Sequence, residues 1–215
     1  WEESDPHRLR PAISVRPLSL TPRAPPEPAR PGTGPAGIEA RLGAALAGLA
    51  PGAPVVVMVH GRGYRPGHRA HCPHALLYTA ARDGGPGRIL SWPRRLGLAG
   101  STAAERRGLA IGLGWNGRGD IWTAAAAATR TAPELARLVT LIRRLDPARP
   151  VDLVGHSLGA RVILGALGRL HAGAVGRVIL LAGAEFAARA EAALDSPAGR
   201  TAEVVNVLSR ENDLF

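Results

Sequence analysis

The sequence has no lysine, one cysteine, few aromatic residues and no long hydrophobic run. Because Cys72 is the only cysteine, an internal disulfide framework is excluded, and a cytoplasmic location is favoured over a secreted one. No uninterrupted apolar stretch approaches the ~20 residues of a membrane helix, so we expect no membrane span. The N-terminus carries Glu2, Glu3 and Asp5 and does not resemble a signal peptide.

The charge of the chain is one-sided, since 27 basic residues, all of them arginine, stand against 17 acidic ones and give a net charge of +10. A nucleic-acid partner would favour a clustered basic patch, often with stacking aromatic side chains. The arginines are instead spread along the chain. Together with abundant alanine, glycine and proline, the exclusive use of arginine is typical of coding bias in a GC-rich genome. We therefore expect no nucleic-acid partner.

The length of the chain fits one domain with a sizeable core. Residues 21–36 contain six prolines and are typical of a linker or surface loop. We therefore divide the chain into an N-terminal extension with a Pro-rich linker, 1–36, and one folded domain, 37–215. Within the extension, residues 12–15 are predicted to form a short edge strand.

Apolar runs alternate with helical patterns through the folded domain. The predicted strands are continuous apolar runs at 55–59, 109–113, 151–154, 178–181 and 204–207. The predicted helices occupy 38–49, 121–145, 158–170 and 185–194, with a break in the second near Pro133, and 60–108 is predicted to be a long loop. This alternation predicts an α/β fold, a three-layer sandwich with a mostly parallel central sheet. Ligands of such sheets bind at the carboxyl ends of the strands.

The most specific motif is Gly155-His156-Ser157-Leu158-Gly159, which follows the strand ending at Val154 and precedes a helix. A serine on a sharp strand-to-helix turn has a strained backbone, and the neighbouring elements pack so closely that small residues are needed on both sides. Gly155 and Gly159 meet this requirement. The context of strand, motif and helix predicts that Ser157 is a nucleophile, against the alternative of a purely structural tight turn.

On these residues the sequence resembles the α/β-hydrolase family, on its esterase and lipase side, over about residues 53–215. His60-Gly61, after the first predicted core strand, is similar to the family's oxyanion loop, although the same dipeptide also suits an ordinary turn. The resemblance assigns the two oxyanion donors to the backbone N–H groups of Leu158 and Arg62. It implies the α/β-hydrolase fold and a serine hydrolase that cleaves a carboxylic ester or related acyl bond of a small molecule through an acyl-enzyme, without a cofactor.

The acid of a catalytic triad is expected after a later strand, because the family order is nucleophile, acid, histidine. Asp213 follows the last predicted strand and is our choice, since a carboxylate there would orient a histidine and stabilise its protonated form. Glu211 is close enough to take the same role. Glu185, after the preceding strand, is the next alternative, and a solvated charged loop without function is the remaining one.

The base is not found where the family order places it, because no histidine follows Asp213. His171 stands at the far end of the helix after the nucleophile, roughly 20 Å away, which is outside proton-transfer range. His156 adjoins the nucleophile but points away from it, and we expect His60 to support its loop. We therefore expect that the sequence, which begins without Met and stops abruptly at Phe215, lacks a C-terminal segment that carries the histidine. The alternative is a non-catalytic binding protein on the same fold.

The segment His68–His74 contains four potential metal ligands, three histidines and Cys72. Their spacing fits none of the closed zinc patterns, and no distant pair of partner ligands is apparent. We expect a loop near the mouth of the active site and no metal.

The segment 112–117 formally matches the dinucleotide fingerprint G-x-G-x-x-G and follows a predicted strand. No acidic residue ends a second strand about 20 residues later, as ribose binding would require, so we reject a dinucleotide site. For Trp92, Trp115 and Trp122, packing is favoured over a role in lining a substrate cleft.

Overall fold

The computed structural model of the chain describes residues 12–15, 35–81, 83–84, 89–100 and 107–208. In these residues six strands form one sheet. They are β1 (Ala12–Val15), β2 (Val55–Val59), β3 (Leu109–Gly114), β4 (Val151–His156), β5 (Arg177–Leu181) and β6 (Glu203–Val207). The helices are α1 (Pro35–Ala47), α2 (Pro73–Leu76), α3 (Trp92–Arg95), α4 (Ile121–Leu145), α5 (Leu158–Leu167), α6 (Ala187–Leu194) and α7 (Pro197–Thr201).

The strand order in the sheet is β1-β3-β2-β4-β5-β6. Strands β2 to β6 are parallel, whereas β1 runs antiparallel to β3 with Ala12 opposite Gly114. The predicted α/β fold with a mostly parallel sheet is confirmed, and so is the predicted edge strand at 12–15. From β2 the chain first adds β3 on one side and then crosses over to add β4 on the other. The exits of β2 and β4 therefore flank the point where the strand order reverses, which is where open α/β sheets bind ligands.

One face of the sheet carries the main hydrophobic core, which the helices α1, α4 and α5 cover. Val57 of β2 and Leu153 of β4 point into this core and are fully buried, as are Leu42 of α1, Val139 of α4 and Ile163 of α5. Full burial of a side chain of this kind contributes about 1.5–3 kcal/mol. The apolar stripes of the helices and the alternating residues of the strands thus close one side of the sandwich.

Helix α4 runs unbroken through Pro133, so the predicted break near this residue is wrong. Proline removes one backbone donor and strains the preceding turn. Packing on both sides of the proline offsets this loss, because Ala132 and Ala136 are both buried. The contact with α5 is close: a methyl group on Gly165 of this helix would lie 2.8 Å from the Ala132 Cβ.

The opposite face of β2 and β3 is covered by residues 64–81 and 89–98. They belong to the stretch 60–108, which we predicted as a long loop, and they contain the short helices α2 and α3. Tyr78 and Trp92 are buried there and pack edge to face, with ring centroids 6.0 Å apart. The Tyr78 ring lies on Gly112 so closely that a methyl group at that position would collide with it. Trp115 is also buried, whereas Trp122 is 71% exposed, so the packing role predicted for Trp122 is wrong.

The remaining differences from the sequence prediction concern the ends of elements and one additional short helix. Helix α5 ends at Leu167, earlier than expected, and α6 begins at Ala187. The short helix α7 was not predicted; its start is capped by Ser196, whose hydroxyl accepts a hydrogen bond from the Gly199 N–H at 3.1 Å. No helix in the described ranges is long and apolar enough to span a bilayer.

Candidate active site

Ser157 lies on the tight turn between β4 and α5, at the carboxyl edge of the sheet. Its backbone has φ 52° and ψ −123°, in a region that residues with a side chain rarely adopt. Such strain persists only where the surrounding structure holds it, and it is concentrated at functional sites. The turn therefore meets the geometric expectation for a serine that projects from the top of a parallel sheet.

The two glycines of the motif are required by close packing. A methyl group on Gly155 would lie 2.6 Å from the Ile163 Cδ1 of α5. A methyl group on Gly159 would collide with the Val59 carbonyl and lie 2.9 Å from the His60 carbonyl oxygen. The first turn of α5 thus packs directly on the end of β2, which agrees with the reason given for small residues at these positions.

The loop that leaves β2, residues 60–64 and here called the β2 exit loop, lies against the nucleophile. A methyl group on Gly61 would be 2.9 Å from both the Ser157 Cβ and the His156 carbonyl oxygen. Gly61 and Ser157 are therefore in close contact, and each directly precedes a predicted oxyanion donor. Arg62 follows Gly61, and Leu158 follows Ser157. Among the described residues, no carbonyl accepts a hydrogen bond from either N–H group.

His60 supports the β2 exit loop through a neutral ring. Its Nε2 accepts a hydrogen bond from the Trp115 N–H at 3.1 Å, which places the ring proton on Nδ1, and Nδ1–H donates to the Gly61 carbonyl at 2.8 Å. The ring also stacks on Trp115 with centroids 5.2 Å apart. Burial lowers the pKa of His60 to about 4. Because both ring nitrogens are engaged and the ring is fully buried, His60 has no free position to act as a base.

The backbone of His60 is held by two aromatic residues. The His60 N–H donates to the Tyr78 hydroxyl at 2.7 Å, and that hydroxyl donates to the Leu113 carbonyl at 3.2 Å. The indole N–H of Trp115 donates to the His60 carbonyl at 2.9 Å. Sequence reasoning missed Tyr78 and Trp115 as supports, because nothing in their spacing indicates that they meet His60.

Neither His156 nor His171, both within the described residues, hydrogen-bonds the Ser157 hydroxyl. His156 directly precedes Ser157, its Nδ1 would be 3.2 Å from a methyl group on Gly61, and partial burial lowers its pKa. His171 follows the far end of α5, where its Nδ1 meets the Ala172 carbonyl at 2.8 Å. In the part of the chain that the structure describes, no imidazole hydrogen-bonds the Ser157 hydroxyl.

The loop that leaves β5, residues 182–186 and here called the β5 exit loop, contacts the nucleophile from the other side. The Ser157 N–H donates to the Leu181 carbonyl at 2.9 Å, and the Ala184 N–H donates to the Ser157 carbonyl at 3.1 Å. Ala182 is itself strained, with φ 50°. Both backbone groups of Ser157 are therefore bound by the end of β5 and its exit loop.

Of the three candidate acids, only Glu185 lies within the described residues; Asp213 and Glu211 lie outside them. The Glu185 side chain is 7% exposed, and its Oε1 accepts a hydrogen bond from Arg161 at 2.7 Å and one from the Phe186 N–H at 2.9 Å. Sequence reasoning missed Arg161. The available signal was a single arginine in the otherwise apolar first half of α5.

The histidine-rich segment forms a turn stabilised by its own side chains. The His68 Nδ1 accepts hydrogen bonds from the backbone N–H groups of Ala70 and His71, each at 3.1 Å. The Cys72 Sγ accepts one from the Gly67 N–H at 3.4 Å. Over the residues that the structure describes, no three His, Cys, Asp or Glu side chains are grouped to hold a metal ion.

Gly117, the last glycine of the rejected dinucleotide fingerprint, packs between two loops. The Gly63 N–H donates to the Gly117 carbonyl at 2.8 Å, and the Gly117 N–H donates to the Tyr64 carbonyl at 2.9 Å. A methyl group on Gly117 would lie 2.9 Å from the Gly61 carbonyl oxygen. The chain after β3 therefore packs against the β2 exit loop and is hydrogen-bonded to it.

One comparison with known proteins gives a match. A family described as "Protein of unknown function (DUF726)" matches residues 119–215. The matched part contains the Ser157 turn and the β5 exit loop but not the β2 exit loop. None of the curated proteins compared with the chain matches it.

Proposed function

We propose that the protein is a serine hydrolase of the α/β-hydrolase type that cleaves a carboxylic ester or a related acyl bond. The observation that carries the proposal is the strained backbone of Ser157 on a strand-to-helix turn, with Gly61 of the neighbouring strand exit packed against it. The turn lies at the carboxyl edge of a parallel sheet, where the strand order reverses.

In this mechanism the Ser157 Oγ attacks the acyl carbon while its proton passes to a base. The negative oxygen that develops is held by the N–H groups of Leu158 and Arg62, and loss of one such donor reduces the rate by about 10²–10³. The start of α5 adds a partial positive charge at the same place. Collapse of the tetrahedral intermediate expels the alcohol, which takes the proton, and water then hydrolyses the acyl-enzyme.

The proposed mechanism also needs a base and an acid, which we assign to residues outside the described ranges. A histidine would take the Ser157 proton, and Asp213, after β6, would orient that histidine. Glu185 is less suited to this role because its carboxylate is already bound by Arg161 and by the Phe186 N–H.

Covalent labelling with a neutral alkyl fluorophosphonate tests the proposed nucleophile. We expect the full-length protein to be labelled and Ser157→Ala to lose all labelling, since the probe reacts only with an activated serine. Ser196→Ala is the matched control, because Ser196 also precedes a helix but lies at α7. This variant should lose about 1 kcal/mol of stability and keep the labelling.

A non-catalytic binding protein on the same fold is the second candidate. The observation that favours it is that no described imidazole hydrogen-bonds the Ser157 hydroxyl. Absence of labelling in a folded, full-length protein would support this candidate and exclude the hydrolase.

A further inference from the structure

One ion pair of the protein is buried within a single helical turn of the nucleophile. Arg161 lies four residues after Ser157, on the first turn of α5, and its guanidinium donates to Glu185 at 2.7 Å. The two side chains are only 10% and 7% exposed. Removing two charges from water carries a large desolvation cost, so a buried pair is weak evidence for stability and needs another reason.

The pair joins the first turn of α5 to the β5 exit loop. Besides receiving Arg161, the Glu185 carboxylate accepts the Phe186 N–H at 2.9 Å. The Phe186 ring lies over the guanidinium with its centroid 5.3 Å from the Arg161 Cζ. Among the described residues the Arg161 Nε has no hydrogen-bond partner although it is buried, so the charge depends on Glu185 and the ring.

The same loop holds the backbone of Ser157. The Ala184 N–H, one residue before Glu185, donates to the Ser157 carbonyl at 3.1 Å. Gly183 packs on α5 so closely that a methyl group there would lie 3.2 Å from the Ala160 Cβ. A displacement of the loop would therefore act directly on the strained residue.

We propose that Arg161 and Glu185 are positioning residues, whose ion pair fixes the β5 exit loop against α5 and thereby keeps Ser157 in its strained, reactive conformation. This role rests on the proposed function in one respect only, namely that Ser157 reacts. The hydrogen bond between Ala184 and Ser157 exists whatever the reaction is.

Glu185→Gln tests the proposal, because it keeps the shape of the side chain and removes its charge. We expect the rate constant of fluorophosphonate labelling to fall by about tenfold or more, as small displacements of reacting groups cause. With a neutral ester as substrate, kcat should fall while KM stays unchanged. Labelling at the wild-type rate in a folded Glu185→Gln protein would overturn the proposal.

Glu203→Gln is the matched control. Glu203 pairs with Arg177 at 2.8 Å, at the opposite end of β5, and this pair is 51% and 61% exposed. Its labelling rate should equal that of the wild type. An equal loss in both variants would show a general effect of charge and would overturn the positioning role.

The double variant Arg161→Met/Glu185→Leu covers the case in which Glu185→Gln does not fold, because it leaves no unpaired buried charge. We expect this protein to fold and to be labelled about tenfold more slowly than the wild type. A folded double variant with the wild-type labelling rate would contradict the proposal.

Hydrogen exchange separates failure of this proposal from failure of the proposed function. In the double variant, the amide of Ala184 should exchange faster than in the wild type, while amides of β2 keep their protection. If the wild type is not labelled at all, the hydrolase proposal fails, and faster exchange at Ala184 still supports the positioning role. Unchanged exchange at Ala184 would overturn it.

Discussion

The two loops that contact Ser157 are held by different kinds of interaction. The β2 exit loop depends on neutral groups: a buried imidazole, an indole and a phenol, joined by hydrogen bonds to His60. The β5 exit loop depends on the buried charges of Arg161 and Glu185. The neutral network is sensitive to protonation of its imidazole, whereas the ion pair is sensitive to loss of either charge.

The loops also differ in what they offer the nucleophile. The β2 exit loop packs against the Ser157 side chain, and in the proposed mechanism it supplies the Arg62 N–H as an oxyanion donor. The β5 exit loop binds the Ser157 carbonyl through the Ala184 N–H, and the end of β5 binds the Ser157 N–H. We infer that disturbing the first loop removes stabilisation of the transition state, and that disturbing the second loop misplaces the nucleophile.

Gly61→Ala should have the largest effect of the changes to the β2 exit loop. The new methyl group would lie 2.9 Å from the Ser157 Cβ and from the His156 carbonyl oxygen, so the loop must move away from the nucleophile. Loss of the Arg62 donor should then reduce the labelling rate by about 10²–10³.

Gly43→Ala is the matched control for this substitution. Gly43 lies in α1 and a methyl group there meets nothing within 4 Å. This variant should gain about 0.5–1 kcal/mol of stability and keep the wild-type labelling rate. Wild-type labelling in Gly61→Ala would show that the β2 exit loop contributes no oxyanion donor.

Acid should destabilise the protein through His60. Burial lowers the pKa of His60 from 6.5 in the unfolded chain to about 4 in the folded protein. Between these two values the unfolded state binds the proton that the folded state rejects, so stability is complete above pH 6.5 and falls as the pH drops towards 4. Between neutral pH and pH 5 the loss should be about 2 kcal/mol.

Urea unfolding at several pH values measures this loss, and His60→Gln is the comparison. The variant is less stable at neutral pH, because the Trp115 N–H and the Gly61 carbonyl lose their partner. Between pH 7 and pH 5, however, the variant should lose about 2 kcal/mol less stability than the wild type. Parallel pH profiles for the two proteins would mean that His60 is not the neutral support of the loop.

Sequence patterns predicted the nucleophile turn and most of the sheet for a local reason. The strand, the glycines around Ser157 and the following helix are adjacent in the chain, and their apolar runs and small residues are themselves the physical requirements of the turn. The α/β alternation likewise follows from local periodicity.

The supports of the two exit loops could not be predicted, because they depend on contacts between distant positions. Trp115 is 55 residues from His60, and Glu185 is 24 residues from Arg161. Neither pair has a spacing that distinguishes it from ordinary core and surface residues. The continuity of α4 through Pro133 could not be predicted for the same reason. It depends on packing against α5, where Gly165 approaches Ala132 closely.

Salt should have the smallest effect on the labelling rate. It tests the ion pair that holds the β5 exit loop. Raising NaCl from ~0.05 M to ~0.5 M shortens the screening length severalfold, which weakens exposed ion pairs but hardly affects buried ones. Because the Arg161–Glu185 pair is only 10% and 7% exposed, the rate of labelling with a neutral fluorophosphonate should change by less than about twofold. A tenfold fall in the rate, with unchanged circular dichroism, would mean that water reaches the pair. The β5 exit loop would then be held by an ion pair that solvent screens rather than by buried charge.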